Sequence, residues 1–189
     1  MKGELSMYRI KFYGIGGQGA VTAAKVLSQA VSIYQDEYAI TVPAYGHERR
    51  GAPVYAHIIV DKEPVMLNCY VYEPDIVVVF DETIMEKNVN VGEGCHDGTI
   101  LVLNTNSADV VEKYRKTYGF KEIYWSDGTG AALRNIGLSI PNSAMLGALA
   151  RTGVVDIAAV EHAINDSFGK VGEKNVKAAR DAYEHTEKS

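Results

Sequence analysis

Cysteine is scarce in this chain: Cys69 and Cys95 are the only two among 189 residues. A thiolate-held iron–sulfur cluster takes about four cysteines, and a structural zinc site takes about four Cys or His ligands. Two thiols fall short of a cluster, so the chain alone is not expected to hold an ordinary one; His57 in a strand and His162 and His185 in helices show no metal-ligand spacing. A disulfide framework is not expected from two cysteines, and a reducing cytoplasm is the simplest compartment. Five prolines argue against long disordered stretches. Long apolar runs are also missing. The longest compact one, Ile76 to Phe80, lies between Asp75 and Asp81 and reaches about a quarter of the ~20 residues a membrane helix needs. The opening, Met1 to Met7, has no apolar run to serve as a signal peptide. Positive charge is in deficit, with 19 Lys and Arg against 24 Asp and Glu. A net charge of −5 argues against bulk binding to nucleic acid or to an anionic membrane.

What remains is an ordinary globular composition, 47% hydrophobic and 23% charged. The length suits one domain, taken as residues 1–189. Tyr8 to Tyr13 alternates aromatic and β-branched residues with charge and reads as a strand. It enters Gly14-Ile15-Gly16-Gly17-Gln18-Gly19. A helix from Ala20 to Tyr34 is expected, because Val21, Ala24, Leu27, Val31 and Tyr34 recur at spacings of three and four. Ala39 to Val42 is a second strand, stopped by Pro43. Strand, glycine turn, helix and strand make the opening unit of a Rossmann-like, doubly wound α/β domain. Val54 to Val60 and Val65 to Tyr70, joined by Asp61-Lys62-Glu63-Pro64, are expected to form an inserted β-hairpin, so the mostly parallel sheet is mixed. Cys69 then falls in a strand as a small core residue. Ile76 to Phe80 reads as a strand buried on both faces. Glu82 to Lys87 is a short helix, and 92–98 is a loop. Thr99 to Leu103 and Glu122 to Trp125 are further strands. Between them lies a helix from Ala108 to Tyr118, capped by Ser107 and stopped by Gly119. The last third is helical: 131–136, 143–151, 157–168 capped by Asp156, and about 173–184.

Three constellations bear on function. Gly14, Gly16 and Gly19 fit a G-x-G-x-x-G spacing between a strand and a helix, where glycines admit an anion to the free N–H groups of the helix start. A dinucleotide fingerprint also asks for an acidic residue ending the second strand, and here that strand ends in Val42-Pro43-Ala44-Tyr45. Tight helix–sheet packing without a ligand is the competing reading. Gln18 adds an amide donor and acceptor beside the turn. The loop 43–53 carries Tyr45, Gly46, His47, Glu48, Arg49, Arg50 and Gly51; its arginines suit phosphate, carboxylate or a partner surface, or else an ordinary solvated loop. Asn142 is a natural cap for a helix whose Gly147 allows close approach. Cys95-His96-Asp97 is a surface turn rather than a nucleophile and its base, since adjacent side chains rarely face one another. Twelve tyrosines suit interfaces and the rims of a core equally well.

Four segments in order carry a family resemblance: Gly14 to Gly19, Pro43 to Ala52, Pro74 to Thr83, and Ile140 to Leu149. Together they resemble the gamma subunit of 2-oxoacid:ferredoxin oxidoreductases, the pyruvate/ketoisovalerate type most closely, over a core of about residues 8–184. The resemblance implies a subunit of an enzyme that oxidatively decarboxylates a 2-oxoacid to an acyl-coenzyme A and passes electrons to ferredoxin. It places thiamine diphosphate and iron–sulfur clusters in companion alpha, beta and delta-type subunits, and this chain on the coenzyme A side of a shared site. By analogy Gly14, Gly16, Gly17, Gln18 and Gly19 line that site, with Asn142 on the same concave face. Tyr45, Gly46, Glu48, Arg49 and Gly51 lie at its edge. No catalytic residue is assigned, and the isolated chain is expected to be inactive. Homodimeric contacts are a further possibility. The alternatives are a free-standing Rossmann-type nucleotide-binding protein, a non-catalytic scaffold of the complex, and, within the family, an indolepyruvate-type subunit.

Overall fold

A computed structural model describes residues 7–44, 51–66 and 68–189. Its sheet grows from β1 (Met7–Ile15), where alternate side chains go to opposite faces. Ile10 and Phe12 enter the core on one side, and Tyr13 enters it on the other. β4 (Ile76–Val79) is buried at all four positions, as expected for a strand covered on both faces. It pairs in parallel with β1 and with β5 (Ile100–Asn104), and β5 pairs in parallel with β6 (Glu122–Ser126).

The other half of the sheet departs from the expected topology. β2 (Tyr38–Ala44) is not the neighbour of β1; β3 (Pro53–Asp61) lies between them, antiparallel to both. β1 and β2 therefore run the same way with a strand inserted, a split form of the opening unit. The hairpin is formed by β2 and β3, not by β3 and residues 65–70, which carry no strand among those described. The apolar character of 65–70 suits a strand, but β3 already has β1 and β2 on its two sides. Cys69 is accordingly exposed, not buried. β2 also runs through Pro43, because an edge strand has an outer side on which a missing N–H costs nothing. A two-residue strand, β7 (Glu187–Lys188), closes the far edge against β6; its brevity leaves no signal in the sequence.

Helix α1 (Ala20–Gln29) continues as one π-helical turn, Ala30–Tyr34. The wider turn accompanies a stack of Tyr34 on His162 and a Tyr34–Asp166 hydrogen bond. α1 shares one face of the sheet with α4 (Asn142–Ala150), α5 (Ile157–Phe168) and α6 (Gly172–His185). α4 is buried at every position, the mark of a helix inside a protein rather than on it. α2 (Ala108–Tyr118), with Val111 and Tyr114, covers the opposite face together with Ile84, Val89 and Val91. α3 (Gly128–Ile136) follows β6 directly and packs against α4 and α6. Neither Ser107 nor Asp156 makes its expected cap bond; Asp127 does, accepting from the N–H of Gly130 at 2.7 Å.

Candidate functional site

The carboxyl ends of β1, β4, β5 and β6 converge on one edge of the sheet, where open α/β sheets bind their ligands. The glycine turn follows β1. Gly17 and Gly19 have positive φ, +106° and +76°, a region that side chains make costly. Gly14 is buried, and a Cβ there would lie 2.8 Å from that of Ala20. This glycine lets α1 start directly against its own strand. Gln18 closes the turn from inside: its Oε1 accepts from the N–H of Ile15 at 2.9 Å, and its Nε2 donates to Asp81 at 2.5 Å. The N–H groups of Gly17 and Gly19 donate to nothing among the described residues. They lie at the start of α1, where partial positive charge gathers.

Residues 51 and 52, which lead into β3, are fastened to this turn. Gly16 donates its N–H to the carbonyl of Ala52 at 2.8 Å, and Gly51 donates to the carbonyl of Gly16 at 3.4 Å. Tyr45, Gly46, Glu48 and Arg49 lie outside the described residues. Asn142 reaches the turn from α4: its amide nitrogen lies 2.8 Å from where a Cβ on Gly19 would stand. It is the first helical residue rather than the cap, a place taken by Pro141. Its Oδ1 accepts from the N–H of Ser143 at 2.8 Å. Gly14, Gly16, Gly17, Gln18, Gly19, Gly51 and Asn142 are thus gathered on one edge.

Beside the turn opens a cavity of about 450 Å³, lined among others by Asp81, Thr83, Asn104, Thr105, Asp127 and Thr129. Asn104 ends β5 and is buried. It donates to the carbonyl of Phe80 at 2.8 Å and to the hydroxyl of Thr129 at 2.9 Å. Asp81, Glu82 and Asp127 give the wall acidic character, so it suits hydroxyl, amide or amine donors better than phosphate. Sequence reasoning misses Asn104, Thr105, Asp127 and Thr129. Their only signal is positional, since each ends or follows a parallel strand.

Other polar groups lie apart. His96 meets Asp75 at 3.3 Å, not Cys95. Cys95 is half-buried, and burial raises its thiol above the ordinary range. His57, on β3, accepts from the N–H of Val71 at 3.2 Å. Burial, helped by the Lys11 charge, pushes its pKa down to about 4. No group of three or more His, Cys, Asp or Glu that could hold a metal ion exists among the described residues. No helix among them is long and apolar enough to cross a membrane.

A seven-stranded mixed sheet flanked by helices, with a glycine turn at the carboxyl edge of its first strand, defines an open-sheet α/β protein. Residues 9–185 match the pyruvate ferredoxin/flavodoxin oxidoreductase family, and the chain belongs to it. It is 44% identical over 185 residues to the pyruvate/ketoisovalerate oxidoreductases common subunit gamma of Pyrococcus furiosus, covering 96% of this chain and 98% of that one. It is 47% identical over 179 residues to pyruvate synthase subunit PorC of Methanocaldococcus jannaschii, covering 94% and 96%. The crystal structure of pyruvate oxidoreductase subunit PORC from Thermotoga maritima superposes with a TM-score of 0.85 at 36% identity, covering 98% of this chain and 99% of that one. The chain is a gamma-type subunit of a 2-oxoacid ferredoxin oxidoreductase.

Proposed function

We propose that this subunit supplies the coenzyme A side of a shared site in an enzyme that converts a pyruvate-type 2-oxoacid to its acyl-coenzyme A. The supporting observation is the backbone pairing of Gly16 with Gly51 and Ala52, which brings Gly51, the residue after Arg50 in sequence, to the free N–H groups of the glycine turn. In this reading phosphate meets two N–H donors at a helix start, and Arg49 and Arg50, next in sequence to Gly51, are the cations proposed to join them. The neutral, hydroxyl- and amide-bearing parts of coenzyme A find donors and acceptors in the adjoining cavity. Gly14 lets the turn approach its helix, and Asn142 backs it from α4. Tyr45, Gly46, Glu48 and Arg49 form the rim.

Thiamine diphosphate supplies carbanion stabilisation, and iron–sulfur clusters carry electrons to ferredoxin. Their seats in this reading are companion alpha, beta and delta-type subunits, because this chain has two free thiols, one exposed and one half-buried. The chain acts as a single domain with its core over about 8–184, cytoplasmic and contributing to assembly. The test is reconstitution with the companion subunits. Arg49→Ala is expected to raise the KM for coenzyme A roughly tenfold, the scale of one charge-assisted phosphate contact, with little change in the KM for the 2-oxoacid. An unchanged coenzyme A KM in a normally assembled complex leaves the subunit as a scaffold.

A further inference from the structure

We infer that Asp81 is a positioning residue for the glycine turn, acting through the side-chain amide of Gln18; its link to catalysis rests on the coenzyme A reading above. Four hydrogen bonds form one chain. Ile15 N–H donates to Gln18 Oε1 at 2.9 Å, and Gln18 Nε2 donates to Asp81 Oδ2 at 2.5 Å. Asp81 Oδ1 accepts from the backbone N–H of Thr83 at 2.9 Å and from its hydroxyl at 2.6 Å. The first link lies inside the turn, and the last lies on the wall of the cavity. The carboxylate therefore joins the two parts of the site.

The order of donors and acceptors in this chain is forced. A carboxylate only accepts, so it fixes the NH₂ end of Gln18 towards itself and the oxygen towards Ile15. With Ile15 held from the side chain, Gly16 is left to bond Ala52, and the N–H groups of Gly17 and Gly19 stay free. Replacing Asp81 by Asn breaks the chain at one point whichever way the amides turn. Its NH₂ meets either the NH₂ of Gln18 or the N–H of Thr83; if Gln18 turns over instead, its NH₂ meets Ile15. Replacing Gln18 by Glu alone sets two carboxylates face to face. Making both changes restores every bond with polarity reversed at the centre. The carboxylate introduced at position 18 then accepts from Ile15 and from the NH₂ introduced at position 81. The amide oxygen at position 81 accepts from Thr83. The net charge of the pair is unchanged.

The sign of the effect separates positioning from simple electrostatics. Removing a negative charge beside an anionic ligand lowers its KM if Asp81 acts only by its field. A positioning role raises it, because the ligand-ready turn is less populated. In the reconstituted complex, D81N is expected to raise the KM for coenzyme A roughly five- to tenfold, the scale of one lost hydrogen bond, with kcat within about twofold. Q18E is expected to do the same, and the double variant Q18E/D81N to recover most of the wild-type value. Amide hydrogen exchange on the full chain gives a readout independent of the ligand. Exchange at Ile15 and Gly16 should quicken in each single variant and slow again in the double one. Unchanged exchange in both single variants overturns the inference, as does a double variant no better than the worse single. Faster exchange with the KM unchanged in both D81N and Gly17→Val keeps the positioning role and removes the coenzyme A reading instead.

Discussion

His57 is a residue whose environment moves its titration well below the ordinary range. It is buried on β3 near Lys11, and its pKa falls to about 4 from an ordinary 6.5. The unfolded chain binds a proton here below pH 6.5, while the folded chain resists until about pH 4. Stability from this group is therefore complete above pH 6.5 and is lost as pH falls through about 4. The loss is on the order of 2 kcal/mol. Thermal unfolding of wild type and His57→Gln between about pH 7 and 4.5 should show a shallower fall for the variant, whose amide still accepts from Val71. Equal slopes would remove His57 from the acid response. Gly17 is the opposite case. It is exposed, and a Cβ there meets nothing within 4 Å, so only its φ of +106° resists a side chain. Gly17→Val is expected to cost about 1–2 kcal/mol of stability but to raise the coenzyme A KM of the reconstituted enzyme strongly. A fully active complex would count against the turn as a ligand site.

Among the elements, α4 decides the most. Every residue from Asn142 to Ala150 is buried. Its Gly147 packs so closely on α6 that a Cβ would fall 1.8 Å from the carbonyl oxygen of Ala179. Gly147→Ala should force the helices apart and cost about 3 kcal/mol, read as a lowered midpoint in urea. Because Asn142 leads α4 and abuts Gly19, the same variant is expected to disturb the glycine turn, with raised exchange at Gly16. The motif at 140–149 is legible as a helix start with small residues. That it is the central helix of the molecule is not, since burial all round depends on α1 and α6 closing over it together with its chain neighbours α3 and α5. Local patterns serve well where an element has one sheltered face: Ile157, Val160, Ile164 and Phe168 face the core as their spacing predicts. They fail after β3, where the apolar residues Val65, Met66, Cys69 and Tyr70 join no ladder.

For the molecule as a whole, the division of labour follows from what its surface and interior contain. Met66 is 88% exposed and Tyr72 is 73% exposed, so part of the apolar composition does not serve this chain's own core. Turnover of a 2-oxoacid is expected only when companion subunits are present. The isolated chain, assayed with coenzyme A, thiamine diphosphate and ferredoxin, should give none, whereas adding the other subunits restores it. Activity in the purified single chain would end the subunit reading.

The sequence by itself determined the class of fold, the glycine turn, the buried central strand, the helical last third and the shortage of cluster ligands. These rest on local chemistry: period, turn residues and a count of thiols. Tertiary structure alone decided that β3 inserts between β1 and β2, that Asn104, Asp127 and Thr129 share a cavity, and that Asp81 grips Gln18 from 63 residues away. Strand order and long-range hydrogen bonds depend on which surfaces meet when the chain closes on itself. The two scarce cysteines belong to both accounts. Their number limited the chemistry from the start, and the fold then left one in solvent and the other half-buried.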